Sequence, residues 1–255
     1  MPKLTVKIIG YGVIGHYMEN ELQSNEIEIF IHDPDKGFVT DRQCDFGIVC
    51  VPTELISNRC DTSIVEKVVS ENNDKMIIIK STVPPGTTGY LSEKYSKHII
   101  FSPEYYGATR HADSINKDFV ILGGKKEYTS RAAELFKKVM TGFDRIIQTD
   151  SKTAELTKYI KNSFLACKVV FCNEFYRIAK SMGIDYNEVR ELWLMDNRVN
   201  PSHTLVFEDQ PYYDSHCLNK DIPAIINACK EYNPLFLKSV QRHNERFKGE
   251  VNANI

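Results

Sequence analysis

Residues 4–33 constrain the fold most. Leu4–Ile9 reads as a short buried strand, and Gly10-Tyr11-Gly12-Val13-Ile14-Gly15 follows at once. A helical stretch through Met18 and Leu22 comes next, then a second strand, Ile27–Asp33. This is a βαβ unit, the context in which the spacing G-x-G-x-x-G has a mechanical meaning. Gly10 permits the tight turn, Gly12 lets the backbone approach a pyrophosphate, and Gly15 lets helix pack on strand. The helix that opens at Val13 and Ile14 presents free N–H groups and a positive dipole end to phosphates. Asp33 follows about twenty residues on and is placed to accept hydrogen bonds from a ribose diol. A carboxylate there disfavours the extra phosphate of NADP. The expected cofactor is NAD, held by Gly10, Gly12, Val13, Ile14, Gly15 and Asp33.

Further strands are predicted at Phe46–Val51, Met76–Lys80, His98–Phe101 and Phe119–Leu122, with a helix at Ser63–Ser70. This alternation argues for an N-terminal Rossmann-like, doubly wound parallel sheet over residues 1–150. Past Thr149 the pattern is all helical. Leu156, Ile160, Phe164, Cys167, Phe171, Phe175, Ile178 and Met182 recur at spacings of four and three, as in one long helix. Beyond Phe164 its other faces also turn apolar, which points to an interface. Asp185–Met195 reads as a helix and Val199–His216 as a loop. Two last helices, Pro223–Glu231 and Pro234–Phe247, are each expected to start at a proline. Residues 151–255 are thus expected to form an all-α central and dimerisation domain.

Composition excludes several classes. A formal net charge of -2 over 255 residues leaves no basic footprint for nucleic acid. No apolar run approaches the ~18 residues of a membrane span, and Met1-Pro2-Lys3 leads straight into a strand, so neither a membrane segment nor a signal peptide is expected. Seven cysteines, odd in number and without a CxxC, argue against a disulfide framework or a metal site and for the cytoplasm.

Four segments carry further chemistry. Thr82, within Lys80–Thr88, sits at a strand's carboxyl end, where open α/β sheets bind ligands, and Glu104 in Ser102-Pro103-Glu104 sits likewise. Lys158 and Asn162, four apart on the long helix, share a face about 200° from the apolar stripe. Cys217-Leu218-Asn219-Lys220-Asp221 precedes the next expected helix. Singly, each has a plain alternative: loop residues, a solvated lysine, an exposed asparagine, an inert thiol, or, for Asp221, an N-cap. Their joint occurrence is what points to a site.

Together with Ile9–Gly15, Val51-Pro52-Thr53, the run Ala154–Ala166, Met195-Asp196-Asn197-Arg198 and His243-Asn244-Glu245-Arg246, these segments resemble, in order and spacing, the nucleotide-sugar 6-dehydrogenase family (UDP-glucose and GDP-mannose dehydrogenases). The resemblance implies a four-electron oxidation of a sugar C6 alcohol to a carboxylate with two NAD⁺ in turn, UDP-glucose being the default substrate. It adds Val51, Pro52 and Thr82 to the cofactor contacts. Lys158, with Asp221 and a water, would assist loss of the alcohol proton, and Cys217 would attack the aldehyde. Lys158 and Asn162 would stabilise the oxyanion, and Glu104 with Thr82 would position or activate the hydrolytic water. Lys158 and Lys220 would favour the thiolate. Arg198 would reach the substrate of a partner subunit in a homodimer.

The sequence departs from the family in several places. Ala108 stands where a second glutamate is usual. Tyr212-Tyr213-Asp214-Ser215-His216 replaces a glycine-rich run, and the Val199–His216 loop is a few residues longer. The UDP-binding domain that usually follows the segment near Arg246 is read as lacking. Two alternatives stay open: a two-electron β-hydroxyacid or alcohol dehydrogenase, which shares the lysine and asparagine but has no need for Cys217, and a non-catalytic NAD-binding dimer subunit.

Overall fold

The computed structural model describes residues 2–106, 110–111, 119–140 and 145–252; Ala108 lies outside them. The chain divides into two compact units, Met1–Tyr106 with Asn116–Lys158, and Gly107–Ile115 with Tyr159–Ile255. No helix among the described residues is long and apolar enough to cross a membrane.

The first unit runs β1 (Leu4–Ile9), α1 (Val13–Glu21), β2 (Ile27–His32), a 3-10 turn at Pro34–Lys36 and β3 (Phe46–Val49). A small hairpin, β4 (Leu55–Ile56) and β5 (Arg59–Cys60), follows, then α2 (Ser63–Glu71), β6 (Ile77–Ile79), α3 (Thr87–Tyr95) and β7 (Ile99–Phe101). β8 (Phe119–Gly123), α4 (Lys126–Phe136) and β9 (Arg145–Thr149) complete the sheet, whose order is β2-β1-β3-β6-β7-β8-β9. Helices cover both faces, so the central strands are apolar on both sides. Ile78 packs into one core with Ile8, Ile48 and Ile100, while Ile77 and Ile79 join Ile9, Val49 and Phe101 in the other.

The sheet is the parallel doubly wound one expected, with one exception: β8 runs antiparallel to β7. No crossover helix separates the two among the described residues, and a strand that returns without one pairs antiparallel. On the parallel side the chain leaves β1 for β2 on one flank and comes back to β3 on the other. The carboxyl ends of β1 and β3 therefore flank a topological switch point, the crevice where such sheets bind ligands.

α5 (Ser151–Ser181) opens in the first unit, where Glu155 is fully buried and caps α3. Its Oε2 accepts the Gly86 N–H at 2.5 Å and its Oε1 the Thr88 N–H at 2.8 Å. Burial raises this carboxyl above its ordinary range, against the opposing pull of the Thr88 and Gly86 hydrogen bonds. A carboxyl raised in the folded state contributes fully below its unfolded pKa, and that contribution fades as pH climbs through the folded value. Glu155→Gln turns an amide NH₂ toward one of the two N–H groups, an expected loss of about 1–3 kcal/mol. Urea unfolding should show this gap narrowing as pH rises through the raised midpoint. A gap below about 0.5 kcal/mol at every pH would remove Glu155 from the cap.

In the second unit α5 corrects the reading of its own faces. Ile160, Phe164, Phe171, Phe175, Ile178 and Met182 are exposed, whereas Tyr159, Ala166, Val169, Val170, Cys172 and Ala179 are buried. The eight-residue stripe read from the sequence is largely exposed in this chain. Of the buried set, Ala166, Val169 and Val170 pack against Leu218, Ile222, Val240 and Phe247, and Cys172 and Ala179 against Tyr186. Both sets have helical period, and periodicity alone does not say which one finds a partner.

α6 (Tyr186–Trp193) is capped by Asp185, whose side chain accepts the Asn187 N–H. α7 (His216–Ala228) begins seven residues before the proline expected to open it. Ser215 caps it, accepting the Leu218 N–H at 3.3 Å, and Pro223 sits inside the helix. The early cap and the burial of Leu218, Ile222 and Ile225 outweigh the one ladder bond a proline forgoes. Asp221 is therefore no N-cap. α8 (Leu235–Asn252) follows Pro234 as expected.

Candidate active site

The glycine turn keeps its three glycines for three separate reasons. Gly10 has φ +87°, and a Cβ there would lie 3.0 Å from the Cys50 backbone at the end of β3. A Cβ on Gly15 would meet the Gly10 carbonyl oxygen at 2.3 Å, so α1 reaches β1 only with glycine. A Cβ on Gly12 would meet no protein atom within 4 Å. The space beside Gly12 is left by the protein itself, as a cradle for an incoming phosphate requires.

Val13 opens α1 and is exposed; Ile14 is half-buried. Asp33 stands just past β2, and its Oδ2 accepts the Tyr11 N–H at 2.7 Å. That bond ties the acid to the glycine turn and leaves Oδ1 for a ribose. Lys36 Nζ donates to the Tyr11 carbonyl oxygen, and the Tyr11 ring stacks on His16. Val51 and Pro52 follow β3 across the switch point. Thr53 and Cys60 both donate to the Thr82 carbonyl, which anchors Thr82 at the carboxyl end of β6. The residues present fit a dinucleotide.

Glu104, buried past the end of β7, is held at both its main chain and its carboxylate. Oε1 accepts the Tyr105 and Tyr106 N–H groups at 2.6 and 2.8 Å. Lys158 Nζ, buried on α5, donates to the Glu104 carbonyl oxygen. Glu104 and Lys158, far apart in sequence, are thus brought into contact.

In the second unit Asn162 and Asp221 are brought together. Asn162 Nδ2 donates to Asp221 Oδ2 at 2.5 Å, and Lys220 Nζ donates to Oδ1 at 2.6 Å, all three residues buried. Both oxygens of Asp221 are engaged, and the ammonium balances its charge. Because α7 starts at His216, Cys217 and Asp221 lie one turn apart on a single helix, on one face. Cys217 is an exposed free thiol in the first turn of α7. Lys220 was expected beside the sulfur; its ammonium donates to Asp221.

Arg198 is exposed and forks onto Asp196, with Nε at 2.9 Å from Oδ1 and a second nitrogen at 2.5 Å from Oδ2. Two further members escape sequence reasoning. Lys80 and Ser102 look like ordinary polar residues, and only burial marks them. The one available signal for Lys80 is its place directly after the apolar run Met76–Ile79.

Residues 38–140 match the UDP-glucose/GDP-mannose dehydrogenase family, NAD binding domain, and residues 152–246 match that family's central domain. The first match supports NAD as the cofactor. A UDP-N-acetyl-D-mannosamine dehydrogenase of Methanocaldococcus jannaschii is 30% identical over 217 residues, 80% of this chain and 49% of the relative. A UDP-glucose 6-dehydrogenase of Rickettsia bellii is 29% identical over 203 residues, 74% of this chain and 46% of the relative. The chain spans about half the length of these curated relatives. Among solved structures, a UDP-glucose dehydrogenase from Pyrobaculum islandicum shares the fold with a TM-score of 0.78 at 21% identity, covering 96% of this chain and 68% of that one. A UDP-D-ManNAc dehydrogenase from Pyrococcus horikoshii gives 0.77 at 24%, covering 99% and 73%. With both family domains matched in order along a chain of this fold, the protein belongs to the UDP-glucose/GDP-mannose dehydrogenase family.

Proposed function

We propose that this protein oxidises the C6 alcohol of a UDP-linked hexose to the carboxylate, with residues 1–150 holding NAD and residues 151–255 serving substrate and dimer. The observation that carries the reading is α7: an exposed thiol one turn from a buried, doubly held aspartate. A two-electron dehydrogenase has no use for that thiol.

NAD⁺, when bound, accepts hydride from C6. Lys158 and Asp221, through a water, take the alcohol proton in the first oxidation. The Cys217 thiolate then adds to the aldehyde carbon, and Lys158 and Asn162 donate to the oxygen as it gains charge. Donors of this kind are worth several kcal/mol when pre-aimed. Loss of a second hydride, to a second NAD⁺, would leave a thioester on Cys217. Glu104, with Thr82, takes a proton from water as it attacks, and the thiolate leaves.

UDP-N-acetylmannosamine and UDP-glucose are the two substrates of choice, since relatives of both names match. Arg198 is assigned to the substrate of a second subunit. The exposed apolar stripe of α5 supports a homodimer, since contiguous exposed apolar residues mark interaction surfaces; a monomeric mass in solution would remove that part. Seven free cysteines support a cytosolic location, to be checked by cell fractionation.

The test is stoichiometric. With NAD⁺ and each UDP-sugar, two NADH and one uronate per sugar consumed are expected. One NADH per sugar would establish a two-electron dehydrogenase instead. No turnover with NAD binding intact would establish a non-catalytic subunit.

A further inference from the structure

Lys80 has no place in the reaction as outlined, yet its side chain is completely buried. It follows the buried run Ile77–Ile79 of β6, where another apolar residue would pack without desolvating a charge. A buried ammonium persists only when it is paired. The neighbouring strand supplies the partners. Ile79 pairs with Phe101 in the parallel register of β6 and β7, and Ser102 N–H donates to the Ile79 carbonyl. One residue further, Lys80 Nζ donates to Ser102 Oγ at 3.0 Å. Lys80 Nζ also lies 3.8 Å from Glu104 Oε2 and 5.5 Å from the centre of the Phe136 ring.

We propose that Lys80, itself anchored by Ser102, is a positioning residue for Glu104: its charge acts on Oε2, while the Tyr105 and Tyr106 amides hold Oε1, so that the buried carboxylate stays ionised in one orientation. Other groups that face this carboxylate are Tyr17 on α1, Cys50 at the end of β3, Tyr105, Tyr106, and Lys158 on α5. Tyr17, Tyr105 and Cys50 all carry protons at neutral pH. Burial pushes the Cys50 thiol up to about 12, with Lys80 lowering it and Glu104 raising it, so both charges are felt at one sulfur. Burial, then Glu104, pushes Tyr105 up to about 12. Lys158 donates to the Glu104 main-chain oxygen, and Lys80 Nζ lies 3.8 Å from the carboxylate oxygen Oε2.

The consequence for turnover rests on the hydrolytic role given to Glu104 above, so the test reads the carboxyl directly. In full-length protein labelled with ¹³C at glutamate side-chain carboxyls, Glu104→Gln identifies the Glu104 resonance. In Lys80→Met its titration midpoint should rise by about one pH unit or more, a tenfold change in proton affinity. Ser102→Ala should give a smaller rise in the same direction. An unmoved Glu104 midpoint in both variants overturns the proposal. Should Lys80→Met fail to fold, the paired variant Lys80→Met with Glu104→Gln is expected to recover folding, because neither buried charge is then unpaired; failure to recover it also overturns the proposal. With the UDP-sugar aldehyde as substrate, the acid limb of kcat should move up with the midpoint. A midpoint that moves while the limb does not would leave the Lys80 assignment standing and remove Glu104 from catalysis.

Discussion

Cys217→Ser is expected to cut uronate formation by about a thousandfold or more, with NADH per sugar falling from two toward one. A hydroxyl is far less ionised than a thiol at neutral pH and is a weaker nucleophile toward the aldehyde. Any ester that does form is hydrolysed more slowly than a thioester. The aldehyde or its hydrate should therefore accumulate. The fold should be untouched. Cys217 is exposed in the first turn of α7, the cap of that helix is Ser215, and substitutions at such surface positions usually stay within about 0.5 kcal/mol. A rapid-quench assay of product and a thermal melt, run together, separate chemistry from stability. Uronate formation at the wild-type rate would sink the nucleophile role.

The second large effect concerns the glycine turn, where two similar substitutions should fail differently. Gly12→Ala places its methyl where no protein atom comes within 4 Å, on backbone with φ -81° that alanine accepts. The melting curve should match wild type, while NAD⁺ affinity falls by about a hundredfold, because the pyrophosphate loses its close approach. Gly15→Ala drives a methyl to 2.3 Å from the Gly10 carbonyl oxygen. Either α1 or the turn must move, an overpacking cost of about 1–3 kcal/mol, and NAD⁺ binding weakens as a by-product. Calorimetric titration with NAD⁺ beside thermal melts distinguishes the two. If Gly12→Ala binds NAD⁺ as wild type does, the pyrophosphate does not pass Gly12.

These experiments bear on a site that was partly visible in the sequence. Gly10, Gly12, Gly15 and Asp33 are joined by short-range spacing, and a βαβ unit turns that spacing into one geometry. Lys158 with Asn162, and Cys217 with Asp221, are also i, i+4 pairs. What spacing left out were the partners that arrive from elsewhere in the chain, such as Glu104 at Lys158 and Asn162 at Asp221. Lys80 and Ser102 become neighbours only through the register of β6 and β7.

The sequence by itself determined the strand–helix alternation, the cofactor turn and the helical period of α5, because each is a local repeat acting through the backbone. Only the tertiary structure decided which face of α5 packs within its own unit, where α7 begins, and which lysines are buried. A helix with two apolar faces has no intrinsic inside. A proline reads as a start signal until an earlier cap and a buried face outweigh its missing bond. The charge of Lys80 means something different in water and beside Glu104. In each case burial supplies the difference, and burial is set by residues distant in the chain.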